Sequence, residues 1–155
     1  MKLDKFDIAI LNTLQKNGRI SNRELADNIG LSSAPCWRRL QALESKGYVN
    51  KYTAELNPKL LGFDIFAITY VSLENQHPDS STEFEQAIDL LPQVLECFMT
   101  SGEYDYMLKI ITPDISAYHE FISNNLLQIT TVRSVNTTFI LKIKKQTSSL
   151  PLLRK

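Results

Sequence analysis

Ser33, Ala34, Trp37 and Arg38 are spaced to share one flank of a helix, and Arg39 follows them directly. Arginine can donate two parallel hydrogen bonds to a guanine edge, and serine bonds either bases or phosphates. Asn22 and Arg23 open the preceding helix, where free amides and the positive end of the dipole suit a phosphate. Lys51 sits where a hairpin wing would meet the same backbone. With Ser32, the expected cap of the arginine-bearing helix, these residues are the candidate contacts to nucleic acid. An Arg-Arg pair on its own reads as a solvated helix face. Two observations weigh against that here. Trp37 lies off the apolar stripe of its helix, and an exposed tryptophan asks for a partner. Residues 1–51 also carry nine Lys and Arg against five Asp and Glu, whereas residues 52–155 carry eight against twelve.

Ser101-Gly102-Glu103-Tyr104-Asp105-Tyr106 is the one polar cluster in an otherwise apolar stretch. At the level of residues, a hairpin turn and a ligand-binding loop explain it equally well. Catalysis finds no support, because no glycine-rich phosphate loop, GxSxG or HExxH occurs. The acids stand near helix starts, where capping accounts for them. Cys36 and Cys97 have no zinc spacing; Cys36 reads as a small core residue, and Cys97, inside an apolar run, is expected to be a buried free thiol. His77 and His119 lack partners at ligand spacing. No metal, no cofactor and no enzymatic activity are expected.

Several elements must position these residues. Leu3, Phe6, Ile10 and Leu14 recur in steps of three and four, predicting a first helix that Asn17-Gly18 would end in a left-handed cap. Ser21-Asn22-Arg23-Glu24 is a capping-box sequence, Leu25, Ala26 and Ile29 form the face behind it, and Gly30 closes this second helix. Ser32 and Pro35 start a third, with Cys36, Leu40 and Leu43 inward. A very short turn between the second and third helices is the mark of a helix-turn-helix, which lays its last helix in a major groove. Tyr48-Val49 and Tyr52-Thr53-Ala54 have strand composition and predict a small hairpin.

Beyond Asn57-Pro58-Lys59-Leu60-Leu61-Gly62 the pattern becomes strand 63–74, helix 80–91, strands 94–100 and 104–112, a helix capped by Asp114, and strand 132–144. That is the β-α-β-β-α-β order of a ferredoxin-like unit. The expected fold class is α+β, with a winged helix-turn-helix over 1–53, a linker over 54–62 and a ferredoxin-like domain over 63–155. Strands apolar on both faces are buried on both, and two helices cover only one face of four strands. The other face, assigned to Ile65, Ala67, Val71 and Met107, therefore needs a second copy, a homodimer being commonest.

At 155 residues with 43% hydrophobic and 22% charged residues, the chain can build one domain or two small ones. Its net charge of zero excludes a globally basic binder, although not a local basic patch. No apolar run approaches the roughly 20 residues that span a bilayer, and nothing resembles a signal peptide. The cytoplasm, with no membrane partner, is the expected location.

In this setting Asp4–Leu14, Asn17-Gly18-Arg19-Ile20-Ser21, Glu24-Leu25-Ala26, Gly30-Leu31-Ser32, Arg38-Arg39-Leu40 and Gly47-Tyr48-Val49 resemble the DNA-binding half of the Lrp/AsnC transcription regulators, also called leucine-responsive or feast/famine regulators. Leu91-Pro92, Val94–Cys97, Thr100–Tyr106, Pro113-Asp114, Tyr118, Phe121 and Thr147–Leu152 resemble its effector-sensing half. Trp37 departs from the smaller residue expected at its position. The resemblance implies a winged helix-turn-helix on double-stranded DNA, dimers formed sheet to sheet, further assembly to tetramers or octamers, and an amino-acid effector bound between dimers near the 102–105 loop.

Within that frame, Ser101, Gly102, Glu103, Tyr104 and Asp105 are the candidate effector contacts, with Thr137 and Thr138 reaching in from a neighbouring subunit. Glu103 and Asp105 would take an α-ammonium group, and loop amides beside Gly102 an α-carboxylate. Apolar surroundings favour leucine or methionine over charged amino acids. The alternative is a nucleoid-type architectural DNA-binding protein without an effector.

Overall fold

A computed structural model of the chain describes residues 2–75 and 77–152. It divides into two compact units, one of residues 1–55 with 145–155 and one of residues 56–144.

The first unit holds α1 (Lys5–Leu14), α2 (Asn22–Ile29) and α3 (Ser33–Ser45). Ile10, Leu11, Leu25, Ala26, Cys36, Leu40 and Leu43 form its buried core, so the stripe expected on α3 is the one that packs. Asp4 caps α1 and forms a capping box with Asp7, and Ser21 and Glu24 do the same for α2. Gly30 ends α2 at φ 72°, and Gly47 follows α3 at φ 74°, both in the left-handed region that favours glycine. Gly18 departs from expectation, since its φ is not positive. Its constraint is steric instead: a Cβ there would come within 3.3 Å of the Tyr52 ring. Ser32 occupies the N-cap of α3, yet its side chain makes no capping bond.

The expected hairpin is absent. Residues 50–57 form no strand, and Tyr52 is held by its hydroxyl, which donates to Glu44 at 2.7 Å. The domain boundary also differs from expectation. The expected second domain, 63–155, takes in residues 145–152; they return to the first, where Leu152 packs on the helical core and Gln15 exchanges two hydrogen bonds with the Leu150 backbone. Residues 153–155 of the expected domain lie outside the described residues.

The second unit is one antiparallel sheet, β2-β3-β1-β4, built from β1 (Ile65–Leu73), β2 (Val94–Met99), β3 (Tyr106–Thr112) and β4 (Val132–Phe139). Helices α4 (Pro78–Asp89) and α5 (Ile115–Asn124) supply Phe84, Ile88, Tyr118, Phe121 and Ile122 to the core, which they share with Ala67, Val71, Leu73, Tyr106, Leu108 and Ile110. The α+β class holds, but the assignment of the sheet faces does not. Ala67 and Val71 lie under the helices, fully buried. The face without helices carries Phe66, Ile68, Tyr70, Phe98 and Met107, as the alternation of paired residues requires. Cys97 is exposed, because β2 is an edge strand. The last strand ends at Phe139 rather than Lys144.

Candidate nucleic-acid interface and effector loop

On α3, Ser33, Ala34, Trp37 and Arg38 are all exposed, and half of the Trp37 surface is open. Arg23 and Lys51 are exposed as well. These residues sit on the unit whose described residues carry ten Lys and Arg against six Asp and Glu; the other unit carries five against eleven.

Two of the residues expected beside them point elsewhere. The Asn22 amide donates to the Ser33 carbonyl at 3.0 Å, which ties the start of α2 to the start of α3. Its Oδ1 is buried without a partner among the described residues. Arg39 turns to α1: one guanidinium nitrogen lies 2.8 Å from both Asp4 Oδ2 and Asp7 Oδ1, and the Phe6 ring lies 5.3 Å from the guanidinium carbon. Donation from the Asp7 amide, helped by Arg39, lowers the Asp4 pKa, and the Asp7 and Asp4 carboxylates raise that of Arg39. Asp4 and Asp7 were not among the sequence candidates, although Asp4-Lys5-Phe6-Asp7 has the spacing of a capping box.

In the second unit, residues 100–105 bridge β2 and β3. Thr100 N–H donates to the Asp105 carbonyl at 2.9 Å, and the Thr100 hydroxyl donates to the Tyr104 carbonyl. Asp105 also reaches β1: its Oδ2 accepts from Leu73 N–H at 2.8 Å. Tyr104 stacks at a tilt on Tyr70, with ring centres 5.2 Å apart. Ser101, Gly102 and Glu103 are exposed. A Cβ on Gly102 would meet nothing within 4 Å, and its φ is not positive, so the chain's own fold does not require a glycine there. Thr137 and Thr138 alternate across β4. Thr137 faces the helices and bonds the Tyr118 hydroxyl, which also bonds the fully buried Thr69, whereas Thr138 is exposed on the opposite face.

Among the described residues, no group of three or more His, Cys, Asp or Glu could hold a metal ion. No helix among them is long and apolar enough to cross a membrane.

Comparison with known proteins matches residues 3–50 to the winged helix-turn-helix DNA-binding model and residues 67–150 to the Lrp/AsnC ligand binding domain. The leucine-responsive regulatory protein of Klebsiella pneumoniae is 39% identical over 96% of this chain and 90% of its own length. A transcriptional regulator of Neisseria meningitidis, solved as a complex with L-Met, superposes with TM-score 0.94 at 39% identity over 97% of each chain. An AsnC family transcriptional regulator of Agrobacterium tumefaciens gives 0.91 at 30%, over 96% of this chain and 97% of its own.

Proposed function

The chain belongs to the Lrp/AsnC family of DNA-binding transcription regulators, and from that membership we propose that α3 reads operator bases through Ser33, Ala34, Trp37 and Arg38. Arg23, Ser32 and Lys51 are the phosphate contacts beside it. The free flank of α3 carries this reading: four exposed side chains on the positively charged unit, with the opposite stripe committed to the core. Phosphate contacts position the helix, and base contacts specify the sequence.

An apolar amino acid, leucine or methionine, is the proposed effector. Support comes from the leucine-responsive relative, from the L-Met complex of the neisserial neighbour, and from the open space at Gly102. Glu103 and Asp105 supply carboxylates for the α-ammonium group. Thr138, on the helix-free face, can serve a neighbouring copy; Thr137 is taken up by Tyr118.

That helix-free face, with Phe66, Ile68, Tyr70 and Met107, is the proposed dimer interface, and dimers assemble further into tetramers or octamers. The relatives are transcription regulators rather than enzymes, and the cytoplasm is the proposed site of action. A thermal-shift screen of the common amino acids tests the effector. At 100 times its dissociation constant a ligand stabilises by about 2.7 kcal/mol, and the reading expects leucine or methionine to stand out. A flat response to every amino acid removes the effector from it. Ile68→Glu tests the interface, since a buried carboxylate facing its symmetry mate should drive sedimentation toward monomer.

A further inference from the structure

Arg38 and Arg39 are neighbours in sequence and part company in the structure. Arg38 is exposed on the free flank of α3. The Arg39 guanidinium lies between two carboxylates at 2.8 Å and over the Phe6 ring. Asp7 is 5% exposed, so withdrawing the guanidinium would leave a buried carboxylate without its cation. The same two acids cap α1, which makes the anchor a rigid helix end rather than a loop.

We propose that Arg39 is a positioning residue for DNA reading: it fixes the rotation of α3 against α1 and makes no contact with DNA itself. The proposal rests on the reading of α3 as the helix that meets DNA. Adjacent residues sit about 100° apart around a helix, so holding Arg39 sets the direction in which Arg38 and Trp37 project. At a side-chain radius of 5–6 Å, a turn of about 20° moves a tip by roughly 2 Å, enough to break a hydrogen bond to a base edge. No side-chain cap stiffens the start of α3. Its restraints outside the core include the Asn22–Ser33 bond at one end, the Tyr52–Glu44 bond near the other and the Arg39 clamp in the middle. Arginine suits the clamp because one planar group can face both carboxylates and lie on an aromatic ring at once; the lysine ammonium is a compact point charge.

The test uses a duplex selected by the full-length wild-type protein from a random library, beside an unrelated mixed-sequence duplex, with affinities measured across salt concentrations. Arg39→Gln and Asp7→Asn should each weaken the selected duplex about ten- to a hundredfold, the loss that follows withdrawal of a base contact. The mixed-sequence affinity and the salt slope should stay as in wild type, and Arg39→Lys should recover part of the specific affinity. Melting curves identify the temperatures at which each variant is folded; should Arg39→Gln not fold, Arg39→Lys and Asp7→Asn carry the same comparison. Equal weakening of both duplexes with a salt slope flatter by about one unit would make Arg39 a phosphate ligand and overturn the proposal. Tighter DNA binding by Asp7→Asn would do so too, by showing that the freed guanidinium reaches DNA. Wild-type specificity in both variants, with only a lower melting point, would reduce the clamp to a stabilising contact. Arg38→Ala at wild-type affinity for both duplexes would overturn the placement of α3 itself, a failure distinct from that of the clamp.

Discussion

Removal of the Asp105 carboxylate should loosen the end of β1 as well as the loop that carries it. Pairing of β1 with β3 runs to Val71–Tyr106, and the register on the β4 side shifts between Ser72 and Leu73. Leu73 N–H, in a residue only 4% exposed, takes the Asp105 carboxylate at 2.8 Å, where a continuing ladder would offer a carbonyl. Asp105's own carbonyl accepts from Thr100. A hydrogen bond to a charged acceptor contributes about 1.5–3 kcal/mol, and a buried donor left unpaired costs a similar amount. Asp105→Ala should therefore destabilise by about 1.5–3 kcal/mol, or roughly 3–12 °C in melting temperature for a chain of this size.

Asp105→Asn keeps an acceptor of the same shape and should lose about half as much. Urea denaturation at fixed protein concentration measures the change, and hydrogen exchange at the Leu73 amide localises it. Asp105→Ala within 0.5 kcal/mol of wild type, with Leu73 still protected, would refute the reasoning. The pair of variants also separates two roles of one carboxylate. Both should lose amino-acid binding by calorimetry, Asp105→Asn by about tenfold or more, as for a lost charged hydrogen bond. Wild-type binding by Asp105→Ala would remove the loop from the effector site.

Other outcomes follow from the first unit. Arg38→Ala should cost about 1–3 kcal/mol on the selected operator, while Lys51→Ala should weaken every duplex alike and flatten the salt slope by about one unit, both read by fluorescence anisotropy. Truncation after Gln146 removes Leu152 from the helical core and should cost about 1–2 kcal/mol, for a partly buried leucine, in the melting of the DNA-binding unit. The Glu24 carboxylate is held below its usual pKa by the Ser21 hydroxyl and amide. Its contribution is therefore complete above the unfolded value near 4.5 and is lost as pH falls through the lower folded value. The melting difference between wild type and Glu24→Gln should thus be constant above about pH 5.5 and vanish in acid; a gap that widens toward low pH would contradict the capping assignment.

Three helix caps were legible because they are local, whereas Asn17-Gly18 and Ser32 do not cap as their types suggest. Ser21-x-x-Glu24, Gly30 and Asp114 each act within four residues, and each works as its spacing says. The sheet faces were not, because β1 is apolar on both sides and period two carries no asymmetry there. Size held the missing signal: Ala67, Thr69 and Val71 fit beneath helices, whereas Phe66, Ile68 and Tyr70 take the open face. Cys97 looked buried because its strand is apolar, and only the sheet order reveals an edge. Arg39 could have been separated from Arg38 by helix phase. It stands three residues after Cys36 and four before Leu43, so it belongs to the flank of the inward stripe. The return of residues 145–152 left no local trace, since its partners are more than a hundred residues away in the chain.

That distance has a consequence in time. A ribosome delivers residues in order, at about 5–20 per second. Gln15 and Leu150 are 135 positions apart, so the first helix of the DNA-binding unit leaves the ribosome roughly 7–27 s before the segment that completes its packing. During that interval the cavity of about 410 Å³ bounded by Leu3, Leu11, Leu14 and Tyr48 lacks the wall that Leu150 and Leu152 later supply. The newborn head thus presents apolar surface that the finished protein covers. A nascent chain arrested before residue 145 should be the form that a chaperone binds, and emergence of residues 145–152 the event that ends the association.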